Sequence, residues 1–240
     1  MKGIFNSSEE AVNHVHSAFK KARNKESNLS DGTEIANGVL RMFGMSGCMW
    51  RHFLNNLVNL NDVRYAEIGA HIGSTLCSAI YRNNNLSMAM TVDNWSQFST
   101  SDTCNTLLQN VNAVANLSEF KNIDKQIKIF QHDFNTFDFS KVNPIDVYFF
   151  DGPHDDESQK QGILKAFESL SDVSILLVDD WNWGGPRRGT YAALESLPVQ
   201  INYQSEIFTP PEVLNGQVVV NRFGNSDWHN GVGVFVITKI

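Results

Sequence analysis

Five acidic residues stand where short apolar segments of the sequence end. They are Glu67, Asp93, Asp133, Asp151 and Asp179. If these segments are parallel strands of one sheet, their carboxyl ends lie along a single edge, where open α/β sheets bind ligands. The sequence therefore predicts a crevice lined by carboxylates. Because acidic residues also terminate strands and cap helices, one or two of the five have that structural explanation as an alternative.

A glycine-bearing turn follows the first of these carboxylates. Residues 63–73 read VRYAEIGAHIG and turn through Gly69 and Gly73 into a predicted helix at 74–81. In such a turn, backbone N–H groups and the helix N-terminus at Ser74 can approach a bound cofactor closely. A side chain at either glycine would hold the ligand away from the backbone. We therefore predict that this turn binds a cofactor.

Asp93 ends the next apolar segment, roughly 20 residues beyond the turn. A carboxylate at this position can accept hydrogen bonds from both hydroxyls of a ribose. This part of the pattern suits NAD and S-adenosylmethionine equally. Because S-adenosylmethionine has no pyrophosphate, it needs fewer glycines and tolerates an acidic residue before the turn.

The elements that must position these residues alternate along the chain. The predicted strands are 63–67, 87–93, 127–133, 145–151 and 174–179, and the predicted helices between and after them are 74–81, 103–116, 156–170 and 186–197. This order predicts a doubly wound α/β domain with a mostly parallel sheet and helices on both faces. The β-rich segments 201–208, 217–222 and 231–239 predict antiparallel strands at the sheet edge.

Residues 1–60 have a different pattern. A helix with Ser7 and Glu10 in a capping-box arrangement is predicted at 7–24, and a second helix with an aromatic stripe is predicted after a cap at Ser46. The polar residues 24–38 separate them as a predicted turn-rich connection. We interpret 1–60 as a helical extension or lid and 61–240 as the cofactor-binding domain.

Composition excludes several functional classes. The net charge of −7 argues against nucleic acid as a partner. No apolar run reaches the roughly 18 residues of a membrane span, and the N-terminus lacks the apolar centre of a signal peptide. We therefore expect a cytoplasmic protein that does not bind membranes. Cys48, Cys77 and Cys104 have no metal-ligand spacing and fit reduced thiols.

The motifs EIGAHIGST, TVDNW, FQHDF, YFFDGPHDDES and LLVDDWNW, in this order, resemble those of class I S-adenosylmethionine-dependent methyltransferases over residues 60–240. Within that class the sequence looks most like the metal-dependent O-methyltransferases that modify sugars and macrolide or aminocoumarin antibiotics. The resemblance implies a seven-stranded Rossmann-like methyltransferase fold. It also implies methyl transfer from S-adenosylmethionine to a hydroxyl oxygen of a small molecule or sugar.

The resemblance carries roles for individual residues. Glu67, Gly69 and Gly73 would surround the methionine part, Asp93 would hold the ribose, and Asp133 would lie near the adenine amino group. His71 stands where many members have a glycine, and this departure leaves the backbone path of the turn open.

The resemblance also matches Asp151, Asp179 and Asp180 with carboxylates that hold a divalent metal. Physical grounds agree, because neighbouring strands lie about 4.8 Å apart and carboxylates at their ends can reach one ion. Oxygen ligands without a His or Cys cluster favour Mg²⁺. Such an ion would lower the pKa of the substrate hydroxyl and orient its oxygen. The alternative is that Asp180 caps a turn and Asp151 holds a loop.

His154 follows Asp151 by three residues on the same predicted edge. Its near-neutral pKa suits a general base that removes the substrate proton, beside Asp151 in the catalytic centre. The alternative is a loop histidine that only makes hydrogen bonds. Two rival functions use the same crevice: an NAD-linked Rossmann oxidoreductase and a cofactor-binding module without turnover. Since such folds often pair through N-terminal helices, a homo-oligomer is a further expectation.

Overall fold

The computed structural model describes residues 1–97, 99–100, 102–120, 122–142, 144–210, 212–214, 217–219 and 227–240, with residues 124, 212–214 and 217–219 described by their backbone alone. The helices are α1 (Ser8–Arg23), α2 (Glu34–Arg41), α3 (Cys48–Val58), α4 (Ser74–Ile80), α5 (Thr103–Leu117), α6 (Ile123–Gln126), α7 (Asp156–Phe167) and α8 (Gly184–Ser196). The strands are β1 (Arg64–Ile68), β2 (Met88–Asp93), β3 (Ile127–Gln131), β4 (Ile145–Phe150), β5 (Leu170–Val178), β6 (Val199–Ile207), β7 (Glu212–Leu214), β8 (Gln217–Val219) and β9 (Val232–Lys239).

The main sheet has seven strands in the order β3-β2-β1-β4-β5-β9-β6. Strands β1 to β5 are parallel, and β9 pairs antiparallel with both β5 and β6. The order steps outward from β1 in both directions, so the switch point lies between β1 and β4, where ligands bind in such sheets. The predicted doubly wound fold is confirmed, and so are two of the three antiparallel strands, β6 and β9. The third prediction was wrong about the sheet, because β8 pairs with β7 in a separate two-stranded sheet.

Hydrophobic clusters cover both faces of the sheet. On one face the aromatic stripe of α3 packs inward: Trp50 is fully buried and its ring meets that of Phe149 edge-on, with ring centroids 5.2 Å apart. Phe53 stacks on Phe19 of α1 at 4.2 Å between centroids. The helices of residues 1–60 therefore share the hydrophobic core of the sheet.

Helix boundaries differ from the predictions in three places. The segment predicted as a turn-rich connection contains α2, because Thr33 accepts a hydrogen bond from the Ala36 N–H and caps a short helix that buries apolar side chains. Gly47, not Ser46, precedes α3. The predicted helix 156–170 ends at Phe167, because Leu170 already belongs to β5 and pairs with β4.

Two further observations bear on the predictions. Of the predicted strand 217–222, residues 217–219 form β8, and 220–222 lie outside the described residues. Among the helices that the structure describes, none combines the length and the apolar character needed to cross a membrane.

Candidate functional site

A cavity of about 230 Å³ opens at the carboxyl ends of β1, β2 and β4. We call it the rim cavity, and its lining consists of Gly44, Met45, Ser46, Ile68, Gly69, Ala70, His71, Ser74, Thr75, Val92, Asp93, Asn94, Ser96, Gln97, His132, Asp133, Phe134, Asn135, Asp151, Gly152, Pro153 and His154. Six residues predicted for the site therefore face one space: Gly69, Ser74, Asp93, Asp133, Asp151 and His154.

The turn after β1 has the backbone that its glycines permit. Gly69 has a φ of +86°, and a Cβ atom there would overlap the carbonyl oxygen of Asp151. Gly73 has a φ of +90° and immediately precedes α4. His71, at the position where the resemblance predicts a glycine, also adopts a left-handed conformation with a φ of +50°. The turn thus keeps a glycine-like path despite the histidine.

Asp93 and Asp133 lie at the cavity wall. Asp93 accepts hydrogen bonds from the backbone N–H of His71 at 2.9 Å and of Trp95 at 2.7 Å, so it also fixes the glycine turn. Asp133 lies two residues beyond β3, not inside the strand as predicted, and accepts from the Asn135 N–H at 2.8 Å. Asp93 therefore reaches the cavity from the end of β2 and Asp133 from the loop after β3, and each is held by hydrogen bonds to nearby backbone N–H groups.

Glu67 lies beneath the cavity wall and is not part of the cavity lining. It is completely buried, and its carboxyl group accepts hydrogen bonds from the Tyr65 hydroxyl at 2.5 Å and the Thr75 hydroxyl at 3.2 Å. Burial raises the pKa of Glu67 to about 8, and the charges of Asp151 and Asp93 add to the rise. Its contact with the cofactor remains a prediction, because Thr75 stands between its carboxyl group and the cavity.

Asp151, Asp179 and Asp180, which we call the aspartate cluster, meet at the ends of β4 and β5. The carboxyl groups of Asp151 and Asp179 share a hydrogen bond, and Oδ1 of Asp179 is buried without a partner among the described residues. Asp180 accepts from the Asn230 amide at 2.5 Å and lies 2.8 Å from Nε2 of His154. The predicted ligands and the predicted base therefore form one connected group.

Burial and mutual repulsion shift the pKa values in this group strongly. Burial, followed by the charge of Asp180, raises the pKa of Asp151 to about 7, and burial with the charge of Asp151 raises that of Asp179. Burial alone would lower the pKa of His154, but its hydrogen bond to Asp180 and the nearby carboxylates raise it. Near neutral pH, Asp151 and Asp179 therefore hold a proton between them.

The aspartate cluster has some of the features that a site for the predicted metal ion needs. Two adjoining buried carboxyls, one with an oxygen atom that lacks a partner, suit a hard cation, which would relieve their repulsion. Both oxygens of Asp180 already have partners. Among the described residues, no group of three or more His, Cys, Asp or Glu side chains is arranged to hold a metal ion. Asp151 and Asp179 therefore offer two neighbouring carboxyl groups but not a complete ligand set, and the metal site with Asp180 as a further ligand stays a prediction.

The roof of the cavity comes from residues 1–60, the segment interpreted from the sequence as a helical extension or lid. Gly44, Met45 and Ser46 from the loop between α2 and α3 line it, and Ser46 makes a 3.3 Å contact with the hydroxyl of Ser74. Ser46 was predicted to cap α3 but instead accepts a hydrogen bond from Arg51. The glycines and the serine of the sequence GMSG at 44–47 indicate a roof at this position, since small residues permit close approach of the backbone.

Residues 66–181, just under half of the chain, match the family model described as a methyltransferase domain. This segment is therefore similar to methyltransferase domains. The match spans the glycine turn, Asp93, Asp133 and the aspartate cluster. No curated protein is significantly similar in sequence to the chain.

Solved structures share the fold of this chain. An O-methyltransferase from Bacillus cereus in complex with S-adenosylhomocysteine is 13% identical, with a TM-score of 0.53 over 93% of this chain and 91% of that one. A proposed caffeoyl-CoA O-methyltransferase from Staphylococcus aureus is 12% identical, with a TM-score of 0.55 over 94% and 99%. A proposed RNA methyltransferase from Pyrococcus horikoshii is 13% identical, with a TM-score of 0.52 over 95% and 99%.

At these identities the structural likeness shows the fold alone. Together with the family match it supports the class I methyltransferase predicted from the sequence, with its seven-stranded Rossmann-like sheet and N-terminal helix. The finer prediction, a metal-dependent enzyme of the sugar- and antibiotic-modifying branch, stays a prediction.

Proposed function

We propose that the protein transfers a methyl group from S-adenosylmethionine to a hydroxyl oxygen of a small molecule or sugar, assisted by a divalent cation. The observation that carries this proposal is the placement of the glycine turn, Asp93 and the aspartate cluster with His154 at one edge of the sheet. A donor site and a group that can handle the acceptor proton are therefore adjacent.

The donor would lie in the rim cavity. The glycine turn presents backbone without side chains, and Asp93 stands where a carboxylate can accept from ribose hydroxyls. Asp133 and Asn135 offer polar groups on the wall for the adenine. Four of the six predicted cofactor contacts line this cavity: Gly69, Ser74, Asp93 and Asp133.

His154 is proposed to accept the proton of the acceptor hydroxyl. Its Nε2 atom is engaged with Asp180, which leaves Nδ1 as the atom that can take a proton. The deprotonated oxygen attacks the donor methyl carbon, so that a C–O bond forms while the C–S bond breaks and the sulfonium becomes a neutral thioether. Asp180 stabilises the imidazolium that results, as carboxylate partners of catalytic histidines do.

Asp151 and Asp179 are proposed to hold Mg²⁺, with Asp180 beside them. When bound, the ion supplies Lewis-acid stabilisation of the acceptor oxygen. The carboxyl pair contributes a fixed, buried negative site for it, and the partnerless oxygen of Asp179 supports this assignment. In the absence of the ion the pair must retain a proton, as the raised pKa values indicate.

The character of the cavity favours a small acceptor over RNA. The described residues that line it include three aspartates and neither Lys nor Arg, and the chain has a net charge of −7. Phosphate-rich acceptors need cationic side chains. Phe43, 73% exposed, and Met45, 49% exposed, lie on the roof loop and offer an apolar surface to a ring or aglycone.

Thermal-shift measurements with S-adenosylhomocysteine and with NAD test the proposal. Stabilisation by S-adenosylhomocysteine is expected, since only the folded state has the cavity. Stabilisation by NAD alone would establish the oxidoreductase and reject methyl transfer. For the cofactor-binding module, Asp179→Ala would leave S-adenosylhomocysteine and Mg²⁺ binding as in the wild type, whereas the proposal requires loss of Mg²⁺ binding.

A further inference from the structure

A buried arginine holds the roof of the rim cavity. Arg51, on α3, is only 2% exposed. Its Nε donates to Oγ of Ser46 at 2.9 Å, Nη1 to the carbonyl of Val39 at 2.8 Å, and Nη2 to the carbonyl of Met42 at 2.9 Å. One side chain therefore ties the end of α2 and the roof loop to α3.

The charge of Arg51 has no anion opposite it. All three acceptors are neutral, and none of the ion pairs among the described residues includes Arg51. Burial lowers its pKa, and its titratable neighbours are the thiols of Cys48 and Cys77. A guanidinium group stays protonated even so. A buried cation without a counter-ion is unfavourable, and an anion bound nearby would offset that cost.

Two hydroxyl groups connect this charge to the cavity. Ser46 accepts from Arg51, and its hydroxyl forms a 3.3 Å hydrogen bond with the hydroxyl of Ser74, in which either group can donate. Both serines line the cavity. Gly44 packs so tightly here that a Cβ atom would overlap Oγ of Ser74. The roof thus brings two O–H donors together, one of them oriented by a buried cation.

We propose that Arg51 is a positioning residue for the carboxylate of the methionine part of the donor. Arg51 orients the hydroxyl of Ser46, which donates to that carboxylate together with Ser74, and its charge complements the anion. This inference rests on the proposed function, because S-adenosylmethionine supplies the carboxylate. It assigns the amino-acid end of the donor to the roof and leaves Asp93 for the ribose.

Calorimetric titration of the full chain with S-adenosylmethionine and with its decarboxylated form tests the proposal. The two ligands differ by the carboxylate alone. The wild type should bind S-adenosylmethionine at least about tenfold more tightly than the decarboxylated form, as expected for charge-assisted hydrogen bonds to the carboxylate. Arg51→Met and the milder Ser46→Ala should each reduce that ratio, with a smaller change in the affinity for the decarboxylated ligand.

A matched control is Arg64→Met. The guanidinium of Arg64 also donates to a carbonyl, that of Pro144 at 2.7 Å, but Arg64 begins β1 at the opposite end of the strand. Its removal should leave the ratio unchanged. If the Arg51 and Ser46 variants lose affinity equally for both ligands, or if the ratio of the two affinities is unchanged, the role of Arg51 in binding the carboxylate is overturned and the proposed function is not. A wild type that binds neither ligand would reject the proposed function as well.

Discussion

Replacement of Glu67 by glutamine should make the protein more stable at alkaline pH. Glu67 is fully buried, and its carboxyl group has two hydroxyl partners and no cation among the described residues. The protonated carboxyl and the glutamine amide are both uncharged and each presents an acceptor oxygen and a donor, to which one of the two hydroxyls can turn its own oxygen. Glu67→Gln therefore reproduces the protonated state and removes the possibility of ionisation.

The magnitude follows from the two pKa values of the group. The pKa of Glu67 is about 8 in the folded protein, against 4.5 for an ordinary glutamate. Between these values the unfolded chain loses the proton while the folded chain keeps it, so the contribution to stability is complete at low pH and falls as pH rises. At about 1.4 kcal/mol per pKa unit, the wild type should lose about 5 kcal/mol relative to Glu67→Gln across this window.

Urea denaturation followed by tryptophan fluorescence, at several pH values from about 5 to about 8.5, measures this difference. The free energies of unfolding of the wild type and of Glu67→Gln should converge at the acidic end and diverge at the alkaline end. Glu9→Gln, which changes an exposed glutamate of α1, serves as the control and should follow the wild type throughout. Parallel curves for Glu67→Gln and the wild type would refute the reasoning.

Three further substitutions test the site and its support. Gly69→Ala should destabilise the fold by about 2 kcal/mol or more, because of the positive φ and the overlap with Asp151; an unchanged Tm would contradict this. Trp50→Ala empties a fully buried site and should cost about 3–5 kcal/mol in denaturant titration, and a cost below 1 kcal/mol would disprove its core role. Asp179→Asn removes one of two carboxyl groups that repel each other, so it should stabilise the metal-free protein at about pH 8. The same substitution should weaken Mg²⁺ binding at least tenfold in calorimetry. An unchanged Mg²⁺ affinity would contradict the proposed metal site.

Much of the fold was predictable because buried parallel strands leave a simple signal. The segment at β4 is almost continuously apolar, and it proved fully buried at the centre of the sheet. Carboxylates at the carboxyl ends of such strands must share one edge of the sheet. The sequence alone therefore predicts that Asp93 and Asp151 lie in the same cavity, as they do. The methyltransferase class followed from the same motifs.

The missed features depend on tertiary contacts that a linear pattern does not contain. Alternation along β1 puts Tyr65 and Glu67 on the same face, but the sequence does not reveal that this face turns toward α4 and away from the cavity. An arginine in an amphipathic helix carries no signal of its own, so the sequence does not single out Arg51. Its importance depends on the path of the preceding loop, which brings Ser46 and two carbonyls to its guanidinium.

A crystal structure of the protein grown with S-adenosylhomocysteine and Mg²⁺ tests the central claim most directly. The ligand should occupy the rim cavity, with its ribose hydroxyls on Asp93 and its amino-acid end toward Ser46 and Ser74. The cation should lie between Asp151 and Asp179. A ligand bound elsewhere, or a ribose that does not contact Asp93 when the cavity is filled, would contradict the account.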